Sequence, residues 1–203
     1  MSILTLLPES PLLVCYTTLV LAVCKHDIGT IQFFVCLCII GGMGDKRRGK
    51  VLLNYIARNF RGISSVISVA DGNLVLAREI YLTYKSVVYD PRIRNRNIAV
   101  RSHIKVVGKP FYSDCSLKCD LVIGLHPDEA TGEIVDYSIR TRTPCLIVPC
   151  CMVGQYSSEC RNKGRWVKFL ANILIQNGFD VFIDQLPISG SNLAIRAYPL
   201  HQT

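Results

Sequence analysis

Two carboxylates give the first chemical suggestion in this 203-residue chain. Asp71 stands in the cluster Ala70-Asp71-Gly72-Asn73, at the end of the apolar run 66–70, and Asp90 closes a second apolar run, 86–89. A glycine turn lets backbone approach a ligand closely, and an acid about twenty residues further on can accept the two hydroxyls of a ribose. The pair is what a nucleotide-type cofactor requires. A third cluster, His126-Pro127-Asp128, follows the run 120–125, in which Gly124 stands next to last. His126 changes charge near neutral pH and is the candidate general base, with Asp128 placed to orient an acceptor. Structural roles compete at each position: a plain strand-to-helix turn with Asn73 as cap, a strand-ending turn at Asp90-Pro91, a loop-fixing histidine, and Asp128 as a helix cap.

The thiols offer less. Of ten cysteines, Cys15, Cys24, Cys36, Cys38 and Cys145 sit inside apolar runs, and a chain that is 50% hydrophobic has a core large enough to fold without staples. Reduced, intracellular thiols are the reading. Cys115, Cys119, Cys150, Cys151 and Cys160 with His126 contain no CxxC pair and match no zinc spacing, so no metal site is expected. Cys150-Cys151 reads as a buried structural pair, with a pocket wall as the alternative.

These residues need a frame that brings strand ends together. Leu52, Leu53, Tyr55, Ile56 and Phe60 recur at helical spacing, with Gly62 as a stop. Strands are expected at 66–70, 86–89, 103–107, 120–125, 145–148, 179–183 and 193–197, and helices at 74–84, 128–140 and 166–176. Pro127 suits the first helical turn, and Asp128 and Glu129 suit its positive end. Alternating strands and helices build a mostly parallel sheet, whereas the short connection 185–192 forces the last two strands into an antiparallel hairpin. The expected fold is α/β and Rossmann-like: a seven-stranded, mostly parallel sheet with a C-terminal antiparallel hairpin strand. That layout resembles the class I S-adenosylmethionine (SAM)-dependent methyltransferases.

Three motifs sharpen the resemblance. GLHPDEAT at 124–131, VPCC at 148–151 and LPISGSN at 186–192 occur in the order found in a little-characterised eukaryotic methyltransferase-like family with GLHPDxAT, VPCC and LPxxGxN segments. The chain is more distantly similar to tRNA 2′-O-methyltransferases that act on the acceptor stem. The resemblance covers roughly 50–198. It implies SAM as cofactor, a cofactor turn at Ala70, Asp71, Gly72 and Asn73, a ribose acid at Asp90, and an active-site face at 124–128 and 149–151. Relatives carry a fuller glycine-rich segment; this chain has Gly72 alone. A catalytically degenerate binding or partner module is therefore the alternative to an enzyme.

The formal charge of +8 and pI near 9.0 favour a polyanionic partner, with RNA as the acceptor to consider. Arg92, Arg94, Arg96 and Arg101 form one basic cluster; Arg161, Lys163, Arg165 and Lys168 form another around Trp166, which could stack on a base. A solvated face is the simpler account of both. Residues 1–42 are compositionally foreign: apolar runs at 11–24 and 28–42 are each shorter than a bilayer span and flank Lys25-His26-Asp27. No positive region opens them, as a secretory signal requires. Met43 begins MGDKRRGK, so the domain is expected at 43–203, with 1–42 an appendage or a misassigned start. A membrane-tethered protein is the alternative; otherwise a cytoplasmic or nuclear location follows.

Overall fold

The computed structural model describes residues 45–94, 97, 99, 104–160 and 162–200, so the expectations for residues 1–42, Arg96, Arg101 and Arg161 lie outside the described residues. Helix α1 (Arg48–Asn59) leads into strand β1 (Ser65–Val69), helix α2 (Ala77–Ile80), β2 (Lys85–Tyr89) and β3 (Lys105–Val107). The chain continues through β4 (Leu121–Leu125), α3 (Thr131–Thr141), β5 (Cys145–Val148), α4 (Lys163–Gln176), β6 (Phe179–Gln185) and β7 (Leu193–Pro199). The seven strands form one sheet in the order β3-β2-β1-β4-β5-β7-β6. All neighbours are parallel except those of β7, which runs antiparallel to both β5 and β6. The hairpin expected from the short connection is closed by the Leu186 N–H donating to the Asn192 carbonyl at 2.8 Å, with Gly190 at φ +84°. Its last strand, β7, inserts between β5 and β6.

Alternating side chains divide the core into two layers. Ile67, Val69, Val122, Ile147 and Ile195 pack under α3 and α4 against Val135, Trp166, Leu170 and Leu174. Val66, Leu121, Ile123, Leu146 and Val148 face the other way, onto Leu52 and Ile56 of α1, Phe60 just after it, and Leu76 and Ile80 near α2. Each such buried side chain contributes about 1.5–3 kcal/mol. Among the described residues, no helix is long and apolar enough to cross a membrane.

One expected element is shortened for a local reason, and one stretch expected without a helix is held in place from outside. The helix expected over 74–84 shrinks to Ala77–Ile80, because Leu74 adopts φ +55° and the Asp71 carboxylate draws in the N–H groups of Val75, Leu76 and Ala77. Between β3 and β4, where no helix is expected, residues 108–120 cross without one. Phe111 anchors this coil edge-on between Tyr89 and Tyr137, at ring separations of 5.4 and 5.2 Å. From α3, Tyr137 donates its hydroxyl to the Leu117 carbonyl, Arg140 donates to the Ser113 and Cys115 carbonyls, and Glu133 accepts from the Ser113 N–H. Side chains of one helix thus satisfy backbone groups that a second helix would have satisfied internally.

Candidate functional site

In a parallel sheet the side chains beyond the carboxyl ends of the strands share one edge, and β1, β2, β4 and β5 deliver their following residues there. Ala70 still donates its N–H to the Tyr89 carbonyl at 2.8 Å, then turns out of the ladder at φ +59°. A left-handed alanine is strained, and the strain is held by the chain on both sides. It delivers Asp71 inward, and the residue is only 7% exposed. One oxygen accepts from Val75 at 2.8 Å, the other from Leu76 at 3.1 Å and Ala77 at 2.7 Å. Burial pushes the Asp71 carboxyl up to about 6, against the pull of those N–H groups and of Arg48. Asp71, not Asn73, therefore caps the turn before α2. Its carboxylate is committed to the fold, and Asn73 beside it is exposed.

Gly72 meets Asp90. A β-carbon built on Gly72 would lie 3.0 Å from Asp90 Oδ2 and 3.0 Å from the Arg92 carbonyl oxygen, so the turn after β1 rests directly on the turn after β2. The Arg94 N–H donates to the Gly72 carbonyl at 2.9 Å, and the Arg92 N–H donates to Asp90 Oδ1 at 2.6 Å. Asp90 is 5% exposed.

A second pair of turns follows β4 and β5. Gly124 is packed from outside, since a β-carbon there would stand 2.5 Å from Ile134 Cδ1 and 2.8 Å from Pro127 Cγ. His126 and Asp128 both take left-handed backbone, at φ +58° and +47°. His126 Nε2 lies 3.2 Å from the Ser191 carbonyl oxygen, joining the end of β4 to the β6–β7 connection. A carbonyl only accepts, so Nε2 carries the hydrogen and Nδ1 is the basic nitrogen of the neutral ring. Asp128 does not cap the next helix: its Oδ1 accepts from the Cys150 thiol at 2.8 Å, and Cys150 Sγ lies 3.4 Å from Cys151 Sγ. Both cysteines are half-buried rather than part of the core. The expected helix over 128–140 begins as a single 3-10 turn, Asp128–Ala130, before α3.

Of the basic clusters, Arg92, Arg94, Arg165 and Lys168 are exposed. Arg92 and Arg94 follow β2, and Arg165 stands in the first turn of α4, which the chain enters from the carboxyl end of β5, so both groups belong to the same sheet edge. Trp166 corrects the stacking expectation: it is fully buried, 6.2 Å from Phe169 in a stacked arrangement, and presents no face to a base. Sequence reading missed a concavity of about 680 Å³ at the opposite edge, whose lining includes Arg61, Lys118, Arg140 and Arg142. Its arginines are scattered along the chain. Two of them bind carbonyls: Arg140 those of Ser113 and Cys115, and Arg142 those of Asn177, Gly178 and Leu200.

No protein-family profile matches the sequence, and no curated protein matches it. Solved structures do. Magnesium protoporphyrin IX methyltransferase from Synechocystis PCC 6803, solved with bound SAM, superposes with a TM-score of 0.53 at 12% identity, over 76% of this chain and 79% of that one. An O-methyltransferase family protein from Burkholderia thailandensis gives 0.52 at 13% identity, over 78% of this chain and 58% of that one. The ribosomal protein L11 methylase from Lactobacillus delbrueckii subsp. bulgaricus gives 0.51 at 14% identity, over 75% and 78%. Against several of the matched structures the chain spans little more than half their length, 53% to 58%. Strand order, the antiparallel β7 and these superpositions together establish that the described residues have the class I methyltransferase fold.

Proposed function

We propose that the domain is a SAM-dependent methyltransferase with RNA as its acceptor. The observation that supports this most is the contact between Gly72 and Asp90, which sets a side-chain-free turn against a carboxylate at the tip of the neighbouring strand. The residues fit the cofactor in kind. A β-carbon would occupy the approach at Gly72, and Asp90 retains acceptor capacity beyond the bond from Arg92. Ala70, Gly72 and Asn73 would hold the amino-acid end through backbone, and Asp90 the ribose. When bound, SAM supplies a methyl group on a sulfonium, an electrophile that needs no further activation.

The chain's own task is then alignment and removal of a proton. In-line displacement is accelerated chiefly by holding the acceptor in an attack geometry, and general base assistance adds a smaller factor. The turns after β4 and β5 form the acceptor side. His126 takes the acceptor hydroxyl's proton at Nδ1, and the Nε2 contact to Ser191 fixes the ring. Asp128, in the same turn, helps orient the acceptor. Arg92, Arg94, Arg165 and Lys168 along that edge supply phosphate contacts for a nucleic-acid acceptor.

A second reading, a binding module without catalysis, is favoured by one observation: Asp90 is 5% exposed and already bonded to its own turn. Incubating the full chain with SAM carrying a tritiated methyl group and total RNA separates the two. Label transferred to RNA, and lost in Asp90→Ala, supports the enzyme. Label absent from RNA overturns the RNA acceptor, and label absent from RNA, protein and small-molecule fractions alike favours the module.

A further inference from the structure

We propose that Asp128, Cys150 and Cys151 form a binding site for one thiophilic divalent cation, zinc foremost, on the acceptor side of the domain. One donor atom from each residue lies within 4.8 Å of the other two. Cys150 Sγ is 2.8 Å from Asp128 Oδ1 and 3.4 Å from Cys151 Sγ. Tetrahedral zinc, with bonds of about 2.3 Å to sulfur and about 2.0 Å to oxygen, spaces two sulfurs about 3.8 Å apart and sulfur from oxygen about 3.5 Å apart. The donors therefore need to spread by only about 0.4 and 0.7 Å to admit the ion, a change that side-chain rotation supplies.

The backbone beneath them is close-fitting. The loop after β5 lies against the turn after β4 so tightly that a β-carbon on Gly154 would stand 2.4 Å from the Glu129 carbonyl oxygen, and one on Gly132 would stand 2.8 Å from Gln155 Cβ. Gln155 and Tyr156 further donate to the two oxygens of Asp136 on α3, at 2.8 and 2.7 Å. Asp128 itself is held at φ +47°. Two strand-end loops that are distant in sequence are thus locked together at the place where the three donors converge, which keeps the ordering cost of chelation small.

The donor chemistry selects the ion. Two sulfurs and one carboxylate suit zinc, whereas magnesium and calcium take sets built from oxygen. Each thiol loses its proton to solvent as its sulfur–zinc bond forms, so loading releases up to two protons per ion. Three protein donors leave a fourth position for water or an acceptor atom, the arrangement of zinc sites that act on a substrate rather than those that only brace a fold. Cation binding does not require the adenosyl cofactor, so the site stands whether or not the domain transfers methyl groups.

The test uses the reduced, metal-free full chain titrated with cobalt(II) and then zinc. Expected is a thiolate-to-cobalt charge-transfer band that saturates at one equivalent and is displaced by zinc but not by magnesium. Zinc should also raise the thermal unfolding midpoint. Cys150→Ser and Cys151→Ser should each weaken zinc at least about 10-fold and lose about half the band, and Asp128→Asn should weaken zinc while retaining the band. Cys119→Ser and Cys160→Ser should change neither. Asp128→Asn removes no thiol and serves as the folding-neutral check. A band that survives the double substitution Cys150→Ser/Cys151→Ser, one that vanishes with Cys160→Ser, or no band in the folded wild-type protein overturns the proposal.

Discussion

Gly72 and Asp90, on turns that follow neighbouring strands, are in contact: a single methyl group on the glycine would reach 3.0 Å from the Asp90 carboxylate. The first expectation concerns that space. Gly72→Ala forces either the carboxylate or the Arg92 carbonyl to give way, and overpacking of this kind costs about 1–3 kcal/mol. A lowered urea midpoint should be accompanied by a larger loss of SAM affinity than the stability change alone produces. Unchanged stability would mean that the two turns yield freely.

Asp71 makes stability depend on pH. Its folded carboxyl titrates near 6, above the ordinary Asp value of 3.8, so between those values the folded state holds a proton that the unfolded state has released. Its contribution is therefore largest below about pH 4 and is lost as pH rises through 6, by as much as about 3 kcal/mol. Urea unfolding of wild type and Asp71→Asn across pH 4 to 7 measures this: the wild-type advantage should shrink with rising pH. A constant difference would show that the three backbone N–H donors cancel the effect of burial.

Two glycines in left-handed backbone should differ in cost. At Gly62, φ +75°, an added β-carbon meets nothing within 4 Å, whereas at Gly154, φ +78°, it would strike the Glu129 backbone. Gly62→Ala carries only the conformational penalty, about 1–2 kcal/mol, and Gly154→Ala should cost clearly more. Thermal unfolding of both variants checks the order. Equal costs would mean that the loop after β5 is not packed against the turn after β4.

Much of this is legible in the amino-acid sequence. Seven strands and a closing hairpin follow from apolar runs separated by turn residues, because a buried parallel strand writes itself as a short β-branched run. The positions of Asp71, Gly72 and Asp90 followed from the same punctuation. What their side chains do was not legible. Asp71 and Asn73 are both good caps, and only the left-handed turns at Ala70 and Leu74 decide that Asp71 does the capping. The Asp128–Cys150 contact joins residues 22 apart on two loops, so no spacing rule for metal ligands could register it. The helix-free crossover rests on Phe111, whose partners Tyr89 and Tyr137 lie on different elements. Trp166 in a basic stretch read as a surface residue, but its place on α4 directs it into the core.

That burial gives an optical test, since Trp166 is the chain's only tryptophan. Its emission should be blue-shifted and almost unquenched by iodide, and RNA binding through Arg92, Arg94, Arg165 and Lys168 should leave it unchanged. Strong quenching by RNA would show instead that the tryptophan meets a base.

Calorimetric titration of the full chain with SAM, beside Asp90→Ala, addresses the central claim most directly. The account predicts binding in the micromolar range for the wild-type protein and its loss, by at least about 100-fold, when the ribose carboxylate is removed from an otherwise folded domain. Absence of heat from the wild-type protein, confirmed by equilibrium dialysis with labelled SAM, or equal affinity in the variant, would contradict it.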